Sequence, residues 1–169
     1  MIRSKEEKFF KAVDAREEAL AALSKEIWGY AELGLKEVQS SKAIAAYLEK
    51  EGFKVQLGVG SIPTAICAEY GSGHPVIAYL GEYDALPQLD QKVAAHKEWQ
   101  HPERPESPGH GCGHNNLGVG AVGAAIFLKE AIASGAVKGT VRFYGCPAEE
   151  TLVGKVFMVR DGAFKDVDC

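Results

Sequence analysis

The chain has 169 residues, of which 46% are hydrophobic and 25% charged, and its formal net charge is -4 at pH 7. This composition is typical of one globular domain with its own core, and the acidic balance favours neither nucleic acid nor an anionic membrane as a partner. No apolar run approaches the roughly 20 residues that span a bilayer, and residues 1–7 lack the apolar core of a signal peptide. We therefore expect a cytoplasmic protein without a membrane partner.

The first half of the chain predicts two helices and then short strands. Helical spacing of apolar residues predicts one helix over 4–29. A second helix is expected with Ser40 or Ser41 as its N-terminal cap and Gly52 in the left-handed position after its end. Three strands are predicted over 53–57, 64–70 and 75–80, and the last two are expected to form a hairpin.

The second half predicts a long loop and then an alternation of helix and strand. Residues 84–108 show no periodicity, and a loop of this length inside a compact domain is often functional. A tightly packed helix over 118–133, a strand over 140–145 and a helix over about 152–162 follow. The alternation predicts an α/β layered fold.

Four cysteines are too few for a disulfide scaffold at this length. Cys67 and Cys146 lie in apolar runs, and we expect both to be buried structural thiols. The C-terminal sequence ending at Cys169 resembles the approach to another strand, so the chain is expected to be a fragment of a longer protein.

The first cluster with chemical potential is Gly81-Glu-Tyr-Asp84, at the end of a predicted strand. Two carboxylates two residues apart on an extended chain, Glu82 and Asp84, point to the same face. This arrangement suits a metal site or a pair that orients a ligand. A strand end with solvated acids explains the same pattern and is the commoner case.

The second cluster is Gly109-His-Gly-Cys112-Gly-His114. An extended stretch aims the Cys112 thiol and the His114 imidazole at one point, and thiolate with imidazole is a ligand set suited to zinc and usable by other divalent metals. The glycines let the backbone bend around an ion. His110 is a weaker candidate on the same face, and a Cys-x-His spacing also arises by chance.

The third cluster is Pro147-Ala-Glu149-Glu150, directly after a predicted strand. Adjacent side chains on an extended chain diverge, so one carboxylate is free to bind metal while its neighbour faces a substrate. Metal-assisted amide hydrolysis needs this division, because the ion lowers the pKa of a bound water and a second carboxylate removes its proton. The simpler explanation is that the two acids lie at a helix N-terminus, where they interact favourably with the helix dipole. This explanation is compatible with a metal site.

A glycine pattern, Gly118-Val-Gly120-Ala-Val-Gly123, matches that of dinucleotide-binding folds. That motif turns directly from a strand into a helix, but residues 109–117 contain no strand pattern. The ribose-binding acid expected about 20 residues later is also absent. We interpret these glycines as allowing close helix packing rather than nucleotide binding.

Taken together, the clusters occur in the order of a known family. The chain resembles the amidohydrolase branch of the aminoacylase/carboxypeptidase superfamily of metal-dependent hydrolases, most of all its aminobenzoyl-glutamate hydrolase group. The matching stretches run through almost the whole chain: Gly58-Val-Gly-Ser-Ile-Pro-Thr64, Gly81-Glu-Tyr-Asp-Ala-Leu-Pro87, Gly109-His-Gly-Cys-Gly-His-Asn115, Gly139-Thr-Val-Arg-Phe-Tyr-Gly145 and Pro147-Ala-Glu-Glu150.

The resemblance implies roles for individual residues. It makes Cys112, His114 and Glu150 metal ligands and Glu149 the general base and proton shuttle. Asp84 would orient a metal-binding group. Many relatives carry histidine where this chain has Glu82, so Glu82 is not assigned as a ligand.

The resemblance also implies a three-layer αβα zinc-peptidase-like catalytic domain, of which residues 1–169 would be the N-terminal part. The family's longer chains add histidine ligands and a lid domain for dimerisation, so the lid is absent here. We expect zinc or manganese, dinuclear in the full-length protein, and homo- or hetero-oligomers only of that protein. On its own, the fragment is expected to bind metal weakly and to be inactive.

The implied activity is hydrolysis of the amide bond in N-acyl or aminobenzoyl amino acids or in small dipeptide-like substrates. Two alternatives remain open at this point. One is a cysteine hydrolase with Cys112 as nucleophile, and the other is a non-catalytic fragment that binds a ligand or a partner.

Overall fold

The computed structural model describes residues 3–169, with side chains from residue 6 onward. Its elements follow in chain order: α1 (Arg3–Asp14), α2 (Glu17–Tyr30), α3 (Val38–Lys50), β1 (Lys54–Leu57), a 3-10 turn (Val59–Ser61), β2 (Ile66–Ser72), β3 (Val76–Gly81), α4 (His114–Ala133), β4 (Gly139–Gly145) and α5 (Gly154–Arg160). The predicted α/β class is confirmed. The long loop predicted over 84–108 is present and extends over residues 82–113, where isolated bridges are its strand pairing, and the helix predicted over 118–133 begins earlier, at His114.

The four strands form one mixed sheet in the order β1-β2-β4-β3. β1 pairs with β2 and β2 with β4 in antiparallel register, whereas β3 and β4 are parallel. The predicted hairpin between β2 and β3 was wrong, because β4 lies between them. The reason is the α4 crossover, which returns the chain so that β4 runs parallel to β3.

The main core lies between the sheet and the helices α2, α3 and α4. It contains Ile27, Ile44 and Leu48 from the helices and alternate residues of the strands, such as Ile66 and Phe143, all fully buried. A smaller cluster on the opposite face packs Tyr144 of β4 against Met158 of α5 and Phe164 of the segment after it. Helices therefore lie on both faces of the sheet, as a three-layer arrangement requires, and the second helical layer is thin.

The expectation for the cysteines holds for Cys146, which is fully buried, and burial raises the pKa of its thiol to about 12. Cys67 is only partly buried. Cys112 and Cys169 are exposed. At the C-terminus, Ala78 of β3 donates a backbone hydrogen bond of 2.7 Å to the Cys169 carbonyl, so the last residues lie along the outer edge of β3.

Two helix predictions need correction. The first helix is broken into α1 and α2, and Arg16 at the break donates hydrogen bonds to Glu51 and Glu130. α3 begins at Val38, so Ser40 lies inside it, and the N–H of Ser40 is capped by the Glu32 carboxylate at 2.8 Å. Gly52 adopts the predicted left-handed conformation, with φ +89°.

α4 is the one helix in the described part of the chain that is long and apolar enough, by length and composition alone, to cross a membrane. The expectation that no apolar stretch approaches that length was therefore wrong. Core helices pass the same test, and half of the residues of α4 are buried, including Val122, Ala125 and Ile126, which belong to the main core. Packing against the sheet accounts for its composition.

A mostly buried ion network joins α3 and α4 to the break between α1 and α2. Glu51 accepts a hydrogen bond of 2.8 Å from Arg16 and lies 3.3 Å from the Lys129 ammonium. Burial opposes ionisation of Glu51, but the contacts with Arg16 and Lys129 outweigh it and lower the pKa of the carboxyl. Glu51 therefore stabilises the fold above its unfolded-state pKa, and this contribution is lost as pH falls through its lower folded-state pKa.

We predict that Glu51→Gln lowers the free energy of unfolding by about 1–3 kcal/mol at pH 7, because a buried ion network loses its acceptor charge. The difference should shrink as pH falls below about 4.3, the ordinary pKa of glutamate. Urea unfolding of both proteins at pH 7 and pH 3 measures it. Glu49→Gln, on the exposed side of the same helix, is the control, and a difference that does not change with pH would contradict the prediction.

Candidate metal centre

The three clusters meet at one edge of the sheet. Because β3 and β4 are parallel, residues 82–84 and 146–150 leave the sheet side by side. α4 begins at the same edge with His114. Open α/β sheets place their ligand sites at the carboxyl ends of parallel strands, so the topology alone assembles the site.

Close packing of a glycine brings the start of α4 to the end of β3. A Cβ atom on Gly118 would lie 2.3 Å from the Glu82 carbonyl oxygen, so no larger residue fits without displacing backbone. The first turn of α4 can therefore approach β3, which places His114 beside Asp84.

A buried carboxylate organises the centre. Asp84 Oδ1 lies 2.9 Å from His114 Nδ1, and Asp84 Oδ2 accepts the backbone N–H of Glu150 at 2.9 Å. Because the carboxylate accepts, the proton of the imidazole is assigned to Nδ1, and Nε2 presents its lone pair to the site. This is the arrangement by which carboxylates orient metal-binding histidines.

Cys112, His114 and Glu150 come together although they derive from two distant stretches. One donor atom from each lies within 4.8 Å of the others. The sequence predicted an extended chain between Cys112 and His114, and this prediction was wrong. The chain turns at Gly113, which has φ +87°. A left-handed turn rather than strand alternation thus aims the sulfur and the ring at one point.

The donor set fits a divalent cation. Glu150 Oε1 is buried and has no hydrogen-bond partner among the described residues. A buried carboxylate oxygen without a partner is costly, and a cation satisfies it. Thiolate, imidazole and carboxylate together are ligands that zinc accepts, and three protein ligands are usual in a catalytic zinc site.

Electrostatics around Cys112 favour a ligand over a nucleophile. Desolvation and the neighbouring carboxylates, chiefly that of Glu150, raise the pKa of the Cys112 thiol. Nucleophilic cysteines are activated by positive groups that lower the pKa. Here the surrounding charge is negative, which attracts a cation instead.

Glu149 lies on the rim of the centre. Its Oε2 is 3.7 Å from His114 Nε2, whereas Glu150 Oε1 is 3.7 Å from His114 Nδ1. The Glu149 side chain is 34% exposed and that of Glu150 19%, so Glu149 has the better access to an incoming molecule. The two carboxylates approach different nitrogens of the same ring, and the chain that carries them turns at Ala148 (φ +54°) rather than being extended as predicted.

Comparison with known proteins supports the assignment of the family. Residues 78–169, more than half of the chain, match the model of peptidase family M20/M25/M40. A subunit of the p-aminobenzoyl-glutamate hydrolase of Escherichia coli (strain K12) is 45% identical over 93% of this chain and 32% of its own length. The N-acetylcysteine deacetylase of Bacillus subtilis (strain 168) is 30% identical over 88% of this chain and 37% of its own length.

A solved structure, that of a dinuclear metal-binding M20 peptidase from Bacillus subtilis, superposes with a TM-score of 0.74 at 31% identity. The match covers 93% of this chain and 41% of that one.

The chain belongs to peptidase family M20/M25/M40. The resemblance to the amidohydrolase branch and to the aminobenzoyl-glutamate hydrolase group is thereby confirmed. The chain spans about a third of the length of these curated relatives.

Two candidate residues of this M20 chain do not join the metal centre. Glu82 does not share a site with Asp84, because its carboxylate pairs with Lys155. His110 is buried, and its Nε2 lies 3.1 Å from the Ile27 carbonyl oxygen. Burial lowers the pKa of His110, so this ring favours the neutral form.

Sequence reasoning missed one acid close to the centre. Glu37, at the start of α3, accepts the backbone N–H of Ala148 at 2.8 Å, just before the two glutamates of the site. No short spacing marks it, because it lies 111 residues before Ala148 in the chain. An acid at the start of a helix is ordinarily explained by the helix dipole.

The glycine motif of α4 is explained in part. The interpretation as packing glycines is right for Gly118, whereas a Cβ atom on Gly120 would meet nothing within 4 Å. No strand leads directly into α4, because residues 82–113 intervene.

We predict that Gly118→Ala lowers the free energy of unfolding by about 1–3 kcal/mol, because the added methyl meets backbone. Gly120→Ala, the same change in the same helix, should raise it by about 0.5–1 kcal/mol, because alanine favours helix. Thermal or urea unfolding measures both. Equal effects of the two substitutions would contradict the assigned packing.

Proposed function

We propose that this chain carries part of the active site of a metal-dependent amidohydrolase, in which Cys112, His114 and Glu150 hold a divalent cation. The observation that carries the proposal is the convergence of these three donors around a buried Glu150 oxygen that no other described group satisfies. The N-terminal part of a catalytic domain is the proposed place of residues 1–169 in the longer protein.

A cation at this position would supply Lewis-acid chemistry, lowering the pKa of water and polarising an amide carbonyl. We propose zinc or manganese, because the donor set accepts either. The similar Bacillus subtilis structure is a dinuclear metal-binding peptidase. We propose two ions for the full-length protein as well. The second ion would need donors other than Cys112, His114 and Glu150.

In the proposed reaction Glu149 moves the proton. Its partly exposed carboxylate takes a proton from the attacking water and then delivers one to the amine nitrogen as the amide bond breaks. Asp84 holds the His114 ring in one orientation and the Glu150 backbone in one place. Glu149 therefore acts beside ligands whose positions are fixed.

The proposed substrates are N-acyl or aminobenzoyl amino acids and small dipeptide-like molecules. The names of two similar proteins, p-aminobenzoyl-glutamate hydrolase and N-acetylcysteine deacetylase, share an amide bond between an acyl group and an amino acid nitrogen. Substrate choice, a cytoplasmic location and oligomer formation are proposals for the full-length protein.

The rival in which Cys112 is a nucleophile makes a different prediction. If Cys112 is a ligand, zinc should protect its exposed thiol from iodoacetamide, and Cys112→Ser should lose metal affinity. Alkylation followed by mass spectrometry in a Cys169→Ser background reads out protection at Cys112. Unchanged alkylation with saturating zinc, together with unchanged zinc affinity of Cys112→Ser, would favour the nucleophile.

The adjacent glutamates offer a matched pair of substitutions. Glu150→Gln should weaken zinc binding by more than about 100-fold. Even residues that only hydrogen-bond to metal ligands contribute about 10–100-fold to metal affinity, and a direct ligand should contribute more. Glu149→Gln should change the affinity by less than about tenfold, because its carboxylate is not a ligand. Isothermal titration with zinc measures both. Equal losses would assign both carboxylates to the metal and contradict the division of roles.

If neither substitution changes the zinc affinity, the assignment of Glu150 as a ligand is contradicted. If the wild-type chain binds no zinc even at millimolar concentration, where the weak binding expected of this chain would still be detected, the metal centre itself is refuted. The chain would then be better described as the non-catalytic ligand- or partner-binding fragment.

A further inference from the structure

We infer that Glu37 is a positioning residue, whose buried carboxylate fixes the backbone that presents Glu149 and Glu150. The role assigned to Glu37 rests on the proposed function, because it matters for catalysis only if those two glutamates act as proposed. Glu37 itself is not a ligand, since both of its oxygens are occupied by other contacts.

The contacts of Glu37 connect three segments. Its side chain is fully buried at the start of α3. Oε1 accepts the backbone N–H groups of Leu35 at 3.0 Å and Ala148 at 2.8 Å, and Oε2 accepts the Thr64 hydroxyl at 3.0 Å. Burial raises the pKa of Glu37, and these three hydrogen bonds offset part of that effect.

Alternate amides of the loop after β4 are each held by a different acceptor. Cys146 donates to the Gly81 carbonyl at 2.8 Å, Ala148 to Glu37, and Glu150 to Asp84 at 2.9 Å. Glu37 is thus the middle of three fixed points. Without it, the Ala148 N–H would lose its acceptor, and the middle of the segment would keep only the hydrogen bonds that the Ala148 carbonyl accepts from the chain after it.

Ala148, the middle of these three residues, also has a strained backbone. Ala148 has φ +54°, a left-handed conformation that a non-glycine residue keeps only when its surroundings impose it. Ala148 is fully buried, and a Cβ atom on Gly34 would lie 3.1 Å from its Cα. The turn before α3 therefore packs closely against Ala148 while Glu37 binds its N–H, and together they fix the turn that carries the two glutamates.

The test compares substitutions of two acids near the same helix start. Glu37→Ala removes the acceptor, and Glu37→Asp withdraws the carboxylate by one methylene in case the alanine variant does not fold. Glu37→Gln keeps an oxygen for Ala148 and an amide for the Thr64 hydroxyl, and should restore function. Glu32→Ala is the control, because Glu32 caps α3 at Gln39 and Ser40 without reaching the loop.

Two readouts separate this inference from the proposed function. The first is hydrogen exchange at the Ala148 amide by NMR in the metal-free chain. The second is titration with Co²⁺, with the visible spectrum as the record of ligand geometry. Far-UV circular dichroism at each titration temperature confirms that the variants are folded.

We expect Glu37→Ala and Glu37→Asp to speed exchange at Ala148 by at least about tenfold, because its hydrogen bond is lost. We expect the Co²⁺ dissociation constant to rise by about 10–100-fold, as for other partners that orient metal ligands. Glu37→Gln should stay within about tenfold of wild type in both measurements, and Glu32→Ala likewise.

The inference is overturned if exchange at Ala148 is unchanged in Glu37→Ala and Glu37→Asp. It is equally overturned if exchange speeds up while Co²⁺ affinity and spectrum stay those of the wild type, or if Glu32→Ala weakens Co²⁺ binding as much as Glu37→Asp. A wild-type chain that binds no Co²⁺ refutes the proposed metal centre instead, and exchange at Ala148 then still decides whether Glu37 holds the loop.

Discussion

The structure of the centre depends on one carboxylate with two hydrogen bonds. Asp84 uses one oxygen for the His114 ring and the other for the backbone N–H of Glu150. Its side chain has no solvent exposure, so water does not compete for either bond. Asp84 can make both hydrogen bonds only when the ends of β3 and β4 and the start of α4 lie in one relative position. It therefore fixes these three segments relative to one another.

The sheet explains why this arrangement is available. β1, β2 and β4 pair in antiparallel register, and the one parallel pair, β3 and β4, supplies two adjacent strand ends. The α4 crossover is required by the parallel pairing and delivers His114 to the same edge. Glu37 adds a second contact to this loop, so buried acids from two different segments hold alternate amides of the chain that carries the glutamates.

Short-range patterns predicted the site better than they predicted the sheet. The spacing of Cys112 and His114 and the adjacency of Glu149 and Glu150 are local, so they mark candidate residues even though turns at Gly113 and Ala148, and not the predicted extended chain, bring the donors together. Strand order is not local: the hairpin prediction failed because β4, far along the chain, inserts between β2 and β3. Glu37 was missed for the same reason, because its partner lies 111 residues away and nothing in the intervening spacing marks the pair.

Charge balance gives the strongest argument that the donors need a cation. Within the described residues, the salt-bridge partner of Asp84, Glu149 and Glu150 is His114, and no lysine or arginine pairs with them. Lys155, which follows the two glutamates in the chain, is bound to Glu82 and leaves that acid outside the centre. A thiol among carboxylates, with a buried Glu150 oxygen unsatisfied, is a donor set that a bound cation would stabilise.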